Sequence, residues 1–416
     1  MTKKLFLFAI LLQLSFQLCA QTDITVHDDN TGKDEVIELP EGMIYETDRL
    51  LNEWNAKNYL MNDINCESSS ENPQYSKEEY ISRLSRLPNI IEMPYNDVVR
   101  KLIDYYCTKL RKSVSYMLGA NNFYVPIFEE ALESYQVPLE LKYLPIIESA
   151  LNPGATSRAG AAGLWQFMVK TGKIYGLTVN SLIDERRDPI KSSYAAARYL
   201  KDLYNIFNDW TLAIAAYNCG PANVNKAIRR SGGQKDYWQI YPYLPKETRG
   251  YVPAFIAANY VMNYYCDHNI CPMNMTLPAS TDTIMIHRDL HFEQLVAMCN
   301  VKEEEVKALN PQYRTGLIPG AKESCILRLP THSISAFIAA GDSVYKYKSD
   351  ELFTNRKETK VNETNSGSSG SKYVTIRKGD SLSTIAARNR TTVAKLRKLN
   401  GIKGNNIRAG KRIRVR

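Results

Sequence analysis

Between Cys271 and the end of the chain the sequence repeats itself at an offset of 90 residues, and no other feature limits the architecture as much. Ile286 aligns with Ile376, Phe292 with Leu382, Leu295 with Ile385 and Ala297 with Ala387. Val306 aligns with Leu396, Leu309 with Leu399 and Asn310 with Asn400, and Leu317-Ile318-Pro319-Gly320 aligns with Ile407-Arg408-Ala409-Gly410. Agreement in apolar spacing and in turn residues at one offset means two copies of one small module. Each reads as strand, two short helices, strand, over residues 283–330 and 372–416. Residues 354–371 between them are rich in Ser, Gly, Asn, Lys and Glu, the composition of a flexible linker.

The preceding residues follow a different rule. From Pro94 to about Tyr265 apolar residues recur at helical spacing, as at Val98, Leu102, Tyr105 and Leu110 behind a capping Asn96 or Asp97. Pro138, Asn152-Pro153, Gly160, Gly163, Asn218-Cys219-Gly220 and Pro245 divide this stretch, and period-two patterning is almost absent. The fold class is therefore mainly α, with a helical domain over residues 94–271 and two small βααβ modules behind it. Residues 21–93 are polar and acidic and read as an extension of unknown fold.

Met1 to Ala20 has a basic start, a short apolar run and a small residue at its end, the pattern of a secretory signal peptide. The run is short for a membrane span. Lipid attachment at Cys19 would need a small residue before it, where Leu18 stands, so cleavage after Ala20 is expected. Export to a periplasmic or wall-associated site would place the seven remaining cysteines in an oxidising compartment, where an odd count leaves at least one unpaired. No Cys-x-x-Cys pair or histidine cluster is present, so neither a metal nor another cofactor is expected. The formal charge is +9, yet Lys372 to Arg416 alone carries 14 Lys or Arg against one acid, Asp380. A basic tail suits nucleic acid in other compartments. An exported chain meets acidic wall polymers first, and no nucleic-acid partner is expected.

Val137 to Leu151 reads as a helix from Pro138 that Pro145 should kink or divide, and that Asn152-Pro153 should stop. Leu141, Leu144 and Glu148 then share a face, which sets a carboxyl among apolar neighbours in the last turn of a helix. Burial and the negative helix end both favour the protonated form, as a general acid requires. A lone glutamate in such a position is more often structural, and its context decides.

That context is Glu148-Ser149, Ser157, Gly163-Leu164-Trp165-Gln166-Phe167-Met168, Ala216-Tyr217-Asn218-Cys219-Gly220 and Glu247-Thr248-Arg249-Gly250-Tyr251-Val252. In this order the set resembles the lytic transglycosylases, whose catalytic domain is lysozyme-like and helical. The resemblance implies that Glu148 is the catalytic acid and then base, and that the sugar's own 6-hydroxyl attacks, leaving 1,6-anhydromuramic ends. It implies glycan contacts from Ser157, Gln166, Met168, Tyr217, Asn218, Glu247 and Tyr251. Gly163 and Trp165 read as turn and core, and Glu247 could instead pair with Arg249. Cys219 stands where the family has a small residue and is expected to pack as one.

The last module resembles LysM domains, which bind N-acetylglucosamine in glycan strands. The resemblance implies sugar contacts at Gly379, Asp380, Ser381, Leu382, Asn406, Ile407 and Arg408. The first module has Asp289-Leu290 where the last has Gly379-Asp380, and is expected to be a degenerate LysM-like spacer. The expected partner is thus the glycan strand of peptidoglycan. Two rival readings stay open, a hydrolytic muramidase and a non-catalytic wall-binding scaffold.

Overall fold

The computed structural model describes residues 23–28, 32–44, 60–62, 69, 71–87, 90–275 and 280–353. In the last module it describes 373–376, 380–389, 391–402, 404, 407 and 410–415. The signal peptide expected at residues 1–20 and the linker expected at 354–371 lie outside the described residues. The chain forms two compact units that part at Val361 and Asn362.

The first unit opens with an antiparallel hairpin, β1 (Asp23–Asp28) against β2 (Lys33–Glu38), followed by the single turn α1 (Glu41–Ile44). Strand β3 (Leu60–Asn62) and helix α2 (Lys77–Arg86) come next. Ile24, Val26, Ile37, Leu39, Met43, Tyr80 and Leu84 are all buried in the same core as the later helices. This corrects the boundary expected at residue 94. The segment was opaque because its apolar residues are few and spaced for a short hairpin and two helices in turn, so no single period accumulates.

Helices α3 (Asp97–Thr108) and α4 (Arg111–Ser134) follow, with the Asn96 side chain accepting from the Val99 N–H at 2.9 Å. The stretch from Val137, expected to be kinked or divided by Pro145, is divided. A 3₁₀ helix (Leu139–Tyr143) leads into α5 (Leu144–Ser149), with Pro145 in the first turn of the second piece, where a missing N–H costs nothing. Nor do Asn152-Pro153 end it. Ala150 and Leu151 already take left-handed φ angles of 49° and 61°, and the Ala150 N–H returns to the Ile146 carbonyl at 3.1 Å.

Helices α6 (Val169–Ile174), α7 (Pro189–Phe207), α8 (Trp210–Cys219), α9 (Pro221–Arg230), α10 (Tyr237–Ile240) and α11 (Lys246–Tyr264) complete the helical body. Helix α11 is buried along most of its length and packs against α3, α5 and α8. After it, β4 (Met273–Met275) pairs with β3, and Cys271 is disulfide-bonded.

The first repeat module is β5 (Thr281–Ile286), β6 (Asp289–His291), α12 (Phe292–Met298), α13 (Glu303–Leu309), β7 (Leu317–Pro319) and β8 (Cys325–Pro330). Strand β5 pairs with β8 and β6 with β7. The core does not stop at Pro330: α14 (Thr331–Ala340) and α15 (Asp342–Lys346) bury Ile334, Phe337 and Val344 against it. Nor is the module a free spacer. Leu182 and Ile183, from the helical body, belong to its core. The Asp184 N–H donates to the Gln312 carbonyl at 2.8 Å and the Arg314 N–H to the Leu182 carbonyl at 2.9 Å. Two apolar residues in a long loop carry no periodic signal, so this docking was invisible in the sequence.

The second unit holds the last module: β9 (Tyr373–Thr375), α16 (Leu382–Arg388), α17 (Val393–Asn400) and β10 (Arg412–Arg414), with β9 antiparallel to β10. The repeat is physical as well as sequential. Asn310 in the first module donates to the carbonyls of Val306 and Arg328, both at 2.8 Å, and accepts from the Arg328 N–H at 2.8 Å. Asn400 does the same in the last, donating to Leu396 at 2.8 Å and Arg414 at 2.7 Å and accepting from Arg414 at 2.6 Å. One amide side chain thus ties the second helix of each module to its final strand.

Candidate active site

Glu148 sits in the last turn of α5, half-buried, two residues before the left-handed pair Ala150-Leu151. Its neighbours Pro145, Ile146, Ile147 and Ser149 are buried. Loss of water around the carboxyl is the main force on its proton and raises the pKa to about 8. A hydrogen bond from the Tyr251 hydroxyl to Glu148 Oε1 opposes that rise, while the charges of Glu41 and Glu247 add to it. Near neutral pH the carboxyl therefore holds its proton, the state in which it can protonate a leaving oxygen.

The loop of residues 163–168 is gripped from three sides by its own backbone carbonyls. Ser149 Oγ donates to the Leu164 carbonyl at 2.9 Å, the Tyr217 hydroxyl to that of Trp165 at 2.8 Å, and Arg186 Nη1 to that of Phe167 at 2.9 Å. The Trp165 indole is wholly buried and donates to Ser193 Oγ at 2.9 Å. Gly163 has φ +85°, and a Cβ there would lie 1.7 Å from the Arg186 carbonyl oxygen, so no other residue fits. With these anchors the loop holds Gln166 at a φ of 47°, an uncommon conformation for a side-chain-bearing residue. Gln166 Nε2 donates to the Gly163 carbonyl at 2.8 Å, and its buried Oε1 has no hydrogen-bond partner among the described residues.

Of the expected residues, Tyr251, Tyr217 and Glu247 interact with Glu148, and several of the others have structural employment. Tyr251 reaches Glu148 directly. The Tyr217 hydroxyl is committed to Trp165, and burial, with the Glu148 charge, holds its pKa well above the usual phenol value. Ser157 Oγ accepts from the Ala161 N–H at 3.0 Å and so pins a turn. Asn218 Oδ1 accepts from Thr248 Oγ1 at 2.8 Å, joining α8 to α11. Met168 is half-buried at the start of α6. Glu247 does not pair with Arg249, whose guanidinium lies 3.7 Å from Glu35 and donates to the carbonyls of Leu244 and Pro242. The Glu247 pKa is raised, first by burial and then by Glu38. Cys219 is free and packs against the core as a small residue would.

Sequence reasoning missed Glu41. No motif marks it and it lies 107 positions from Glu148, yet its charge acts on Glu148, and that of Glu247 acts on it. The only sequence signal available was Gly42 beside it, in an otherwise unpatterned stretch.

In the last module Gly379, Asn406 and Arg408 lie outside the described residues. Asp380 is paired with Arg388. Ser381 and Thr384 exchange hydrogen bonds across the first turn of α16, at 2.8 Å and 3.2 Å. Leu382 is buried in the module core and Ile407 packs against it. The side chains of Leu382 and Ile407 therefore help hold the module together.

Residues 126–240 match the Transglycosylase SLT domain, residues 280–346 the family described as lytic transglycosylase MltD, LysM-like domain, and residues 374–416 the LysM domain. The chain is 30% identical over 291 residues to the membrane-bound lytic murein transglycosylase D of Escherichia coli K12, covering 67% of this chain and 60% of that protein. It is 33% identical over 124 residues to the soluble lytic murein transglycosylase of the same strain, covering 28% of this chain and 19% of that one. The crystal structure of the 70 kDa soluble lytic transglycosylase from E. coli aligns at 29% identity and a TM-score of 0.31 over 35% of this chain and 25% of that chain, an overlap on which nothing here depends. With an SLT domain, an MltD-type LysM-like module and a LysM module in this order, the chain has the domain make-up of the lytic murein transglycosylases, and it spans 60% of the length of the E. coli relative.

Proposed function

We propose that the protein cleaves the β-1,4 bond between N-acetylmuramic acid and N-acetylglucosamine in peptidoglycan, with Glu148 as the single acid and base. The observation that carries this reading is a carboxyl within the SLT-matched residues that burial keeps protonated near neutrality and to which the Tyr251 hydroxyl donates. Glu148 gives its proton to the glycosidic oxygen as the bond to C1 breaks. The carboxylate so formed removes the proton from the 6-hydroxyl of the muramic sugar as that oxygen bonds to C1. The product carries a 1,6-anhydro ring, no water is consumed, and Glu148 regains its proton. Tyr251 stabilises the carboxylate midway through this exchange. The Gln166 amide and the Met168 and Tyr217 side chains are assigned to sugar contacts. The last module is assigned to glycan binding, and its basic residues to attraction by the acidic wall.

Hydrolysis is the second reading, and one observation favours it. Glu41 and Glu247 supply carboxylates near Glu148, and a second carboxylate is what a water-activating glycosidase uses. Mass spectrometry of muropeptides released from purified sacculi in ¹⁸O-water separates the two. Anhydro ends without label support the transglycosylase, and labelled reducing ends would sink it. Export, and with it a periplasmic or wall-associated site of action, belongs to the same proposal; among the described residues no helix is long and apolar enough to cross a membrane.

A further inference from the structure

The segment formed by β2 and α1 touches the site from three directions. In α1, a Cβ on Gly42 would lie 2.4 Å from the carbonyl oxygen of Ile146 and 2.7 Å from that of Ile147, in the helix that carries Glu148. In α11, a Cβ on Gly250, the residue before Tyr251, would lie 2.6 Å from the Glu38 carbonyl oxygen and 2.7 Å from Ile37 Cγ2. Backbone cannot move aside as a flexible side chain can, so both contacts need glycine. The third contact comes from the loop that holds Ser157: the Arg158 backbone N–H donates to the Glu41 carboxylate. Ile37 and Met43, buried at 0% and 1% exposure, anchor the segment on either side of Glu41's turn.

We propose that Glu41 is a positioning residue for this site, locked by the segment beside Glu148 so that its charge disfavours early loss of the catalytic proton. The inference rests on the acid–base reading of Glu148. The groups that face Glu148 are Glu41 from α1, Glu247 and Tyr251 from α11, and Tyr217 from α8. Tyr251 donates to Glu148 and favours its ionised form, while the carboxylates of Glu41 and Glu247 oppose a further negative charge beside them. Burial raises the pKa of Glu41 itself, and the hydrogen bond and charge of Arg158 oppose that rise and favour its carboxylate. The same carboxylate, by accepting from Arg158, also fastens the turn that follows Ser157.

Glu41→Gln tests this cleanly, because the amide oxygen still accepts from the Arg158 N–H and only the charge is lost. The full chain should keep its fold, its KM and its kcat on the acid side. Its alkaline limb should move to lower pH, so that the ratio of kcat at about pH 8.5 to that at about pH 6 falls about threefold. A readout independent of activity is the ¹³C titration of the Glu148 carboxyl in glutamate-labelled protein, assigned by its loss in Glu148→Gln. In Glu41→Gln that titration should move to lower pH, whereas Glu133→Gln, a remote exposed acid, should leave it in place. An unmoved titration and an unmoved alkaline limb in Glu41→Gln would overturn the proposal. A wild-type chain that leaves sacculi uncut, but whose Glu148 titration responds to Glu41→Gln, would instead overturn the catalytic reading and keep the coupling.

Discussion

A single carboxyl illustrates how much one residue's surroundings decide. Glu148→Gln keeps the shape and can still accept from Tyr251, but it has no proton to give, so strand cleavage should fall by about 10²–10⁴-fold with the fold intact. Release of soluble muropeptides from sacculi is the measurement. The raised pKa of Glu148 also carries a stability sign. The folded form holds a proton that the unfolded chain loses above its ordinary value of 4.5, so stability declines as pH rises from there to about 8. Glu148→Gln should therefore melt higher than wild type near about pH 9 and about equally near about pH 4, by calorimetry. His268 works in the opposite sense. It is buried among Tyr75, Tyr80 and Tyr260, bonded to Asn72 and Tyr260, and burial with nearby Arg83, Arg100 and Arg111 lowers its pKa to about 4. The unfolded chain gains that proton first, so stability should drain away as pH falls from 6.5 to about 4, and His268→Gln should flatten that part of the pH–stability curve.

At the scale of an element, the loop of residues 163–168 shows why the motifs hold the residue types they do. Tyr217 was expected to touch substrate, yet its hydroxyl, like that of Ser149, is spent on a carbonyl of this loop. Those two hydroxyls hold a backbone shape that the loop's own sequence does not favour. Gly163→Ala would drive a methyl into the Arg186 carbonyl at a positive φ, and should cost about 3 kcal/mol or more. Urea unfolding would measure that loss. Activity lost well before global unfolding would show that the loop, rather than the core, yields first.

For the whole molecule, the two LysM-type modules do different work. The first is fastened to the helical body through Leu182 and Ile183 and by backbone hydrogen bonds. Ile183→Asp buries a charge at that junction and should release the module. Hydrogen exchange at the Asp184 and Arg314 amides should then rise at least about tenfold, with the helical core still protected. The last module forms a unit of its own. Deleting 372–416 should weaken sacculus binding far more than cleavage of a short soluble glycan, because a tether acts by effective concentration. Its 14 basic residues should make part of that binding fall with salt, since charges are screened over about 10 Å at about 0.1 M. Chitin oligomers should compete for the remainder. A pull-down in which truncated and full chains bind equally would remove the tether from the account.

The helical class and the duplicated module were legible in the sequence because each rests on spacing, and the candidate acid because its motif set resembles that of the lytic transglycosylases. Period 3.6 marks a helix, a repeated offset marks a repeated unit, and Glu148 announces itself through the motifs that follow it. What only the tertiary structure decided is what meets across long separations. The hairpin and α1 join the core through two glycines whose close contacts exist only once α5 and α11 are in place. Glu41 lies near Glu148 for that reason alone, and Leu182 and Ile183 become part of another module's core only after both have folded. Hydrophobic patterning encodes which face of an element is buried, but not what it is buried against.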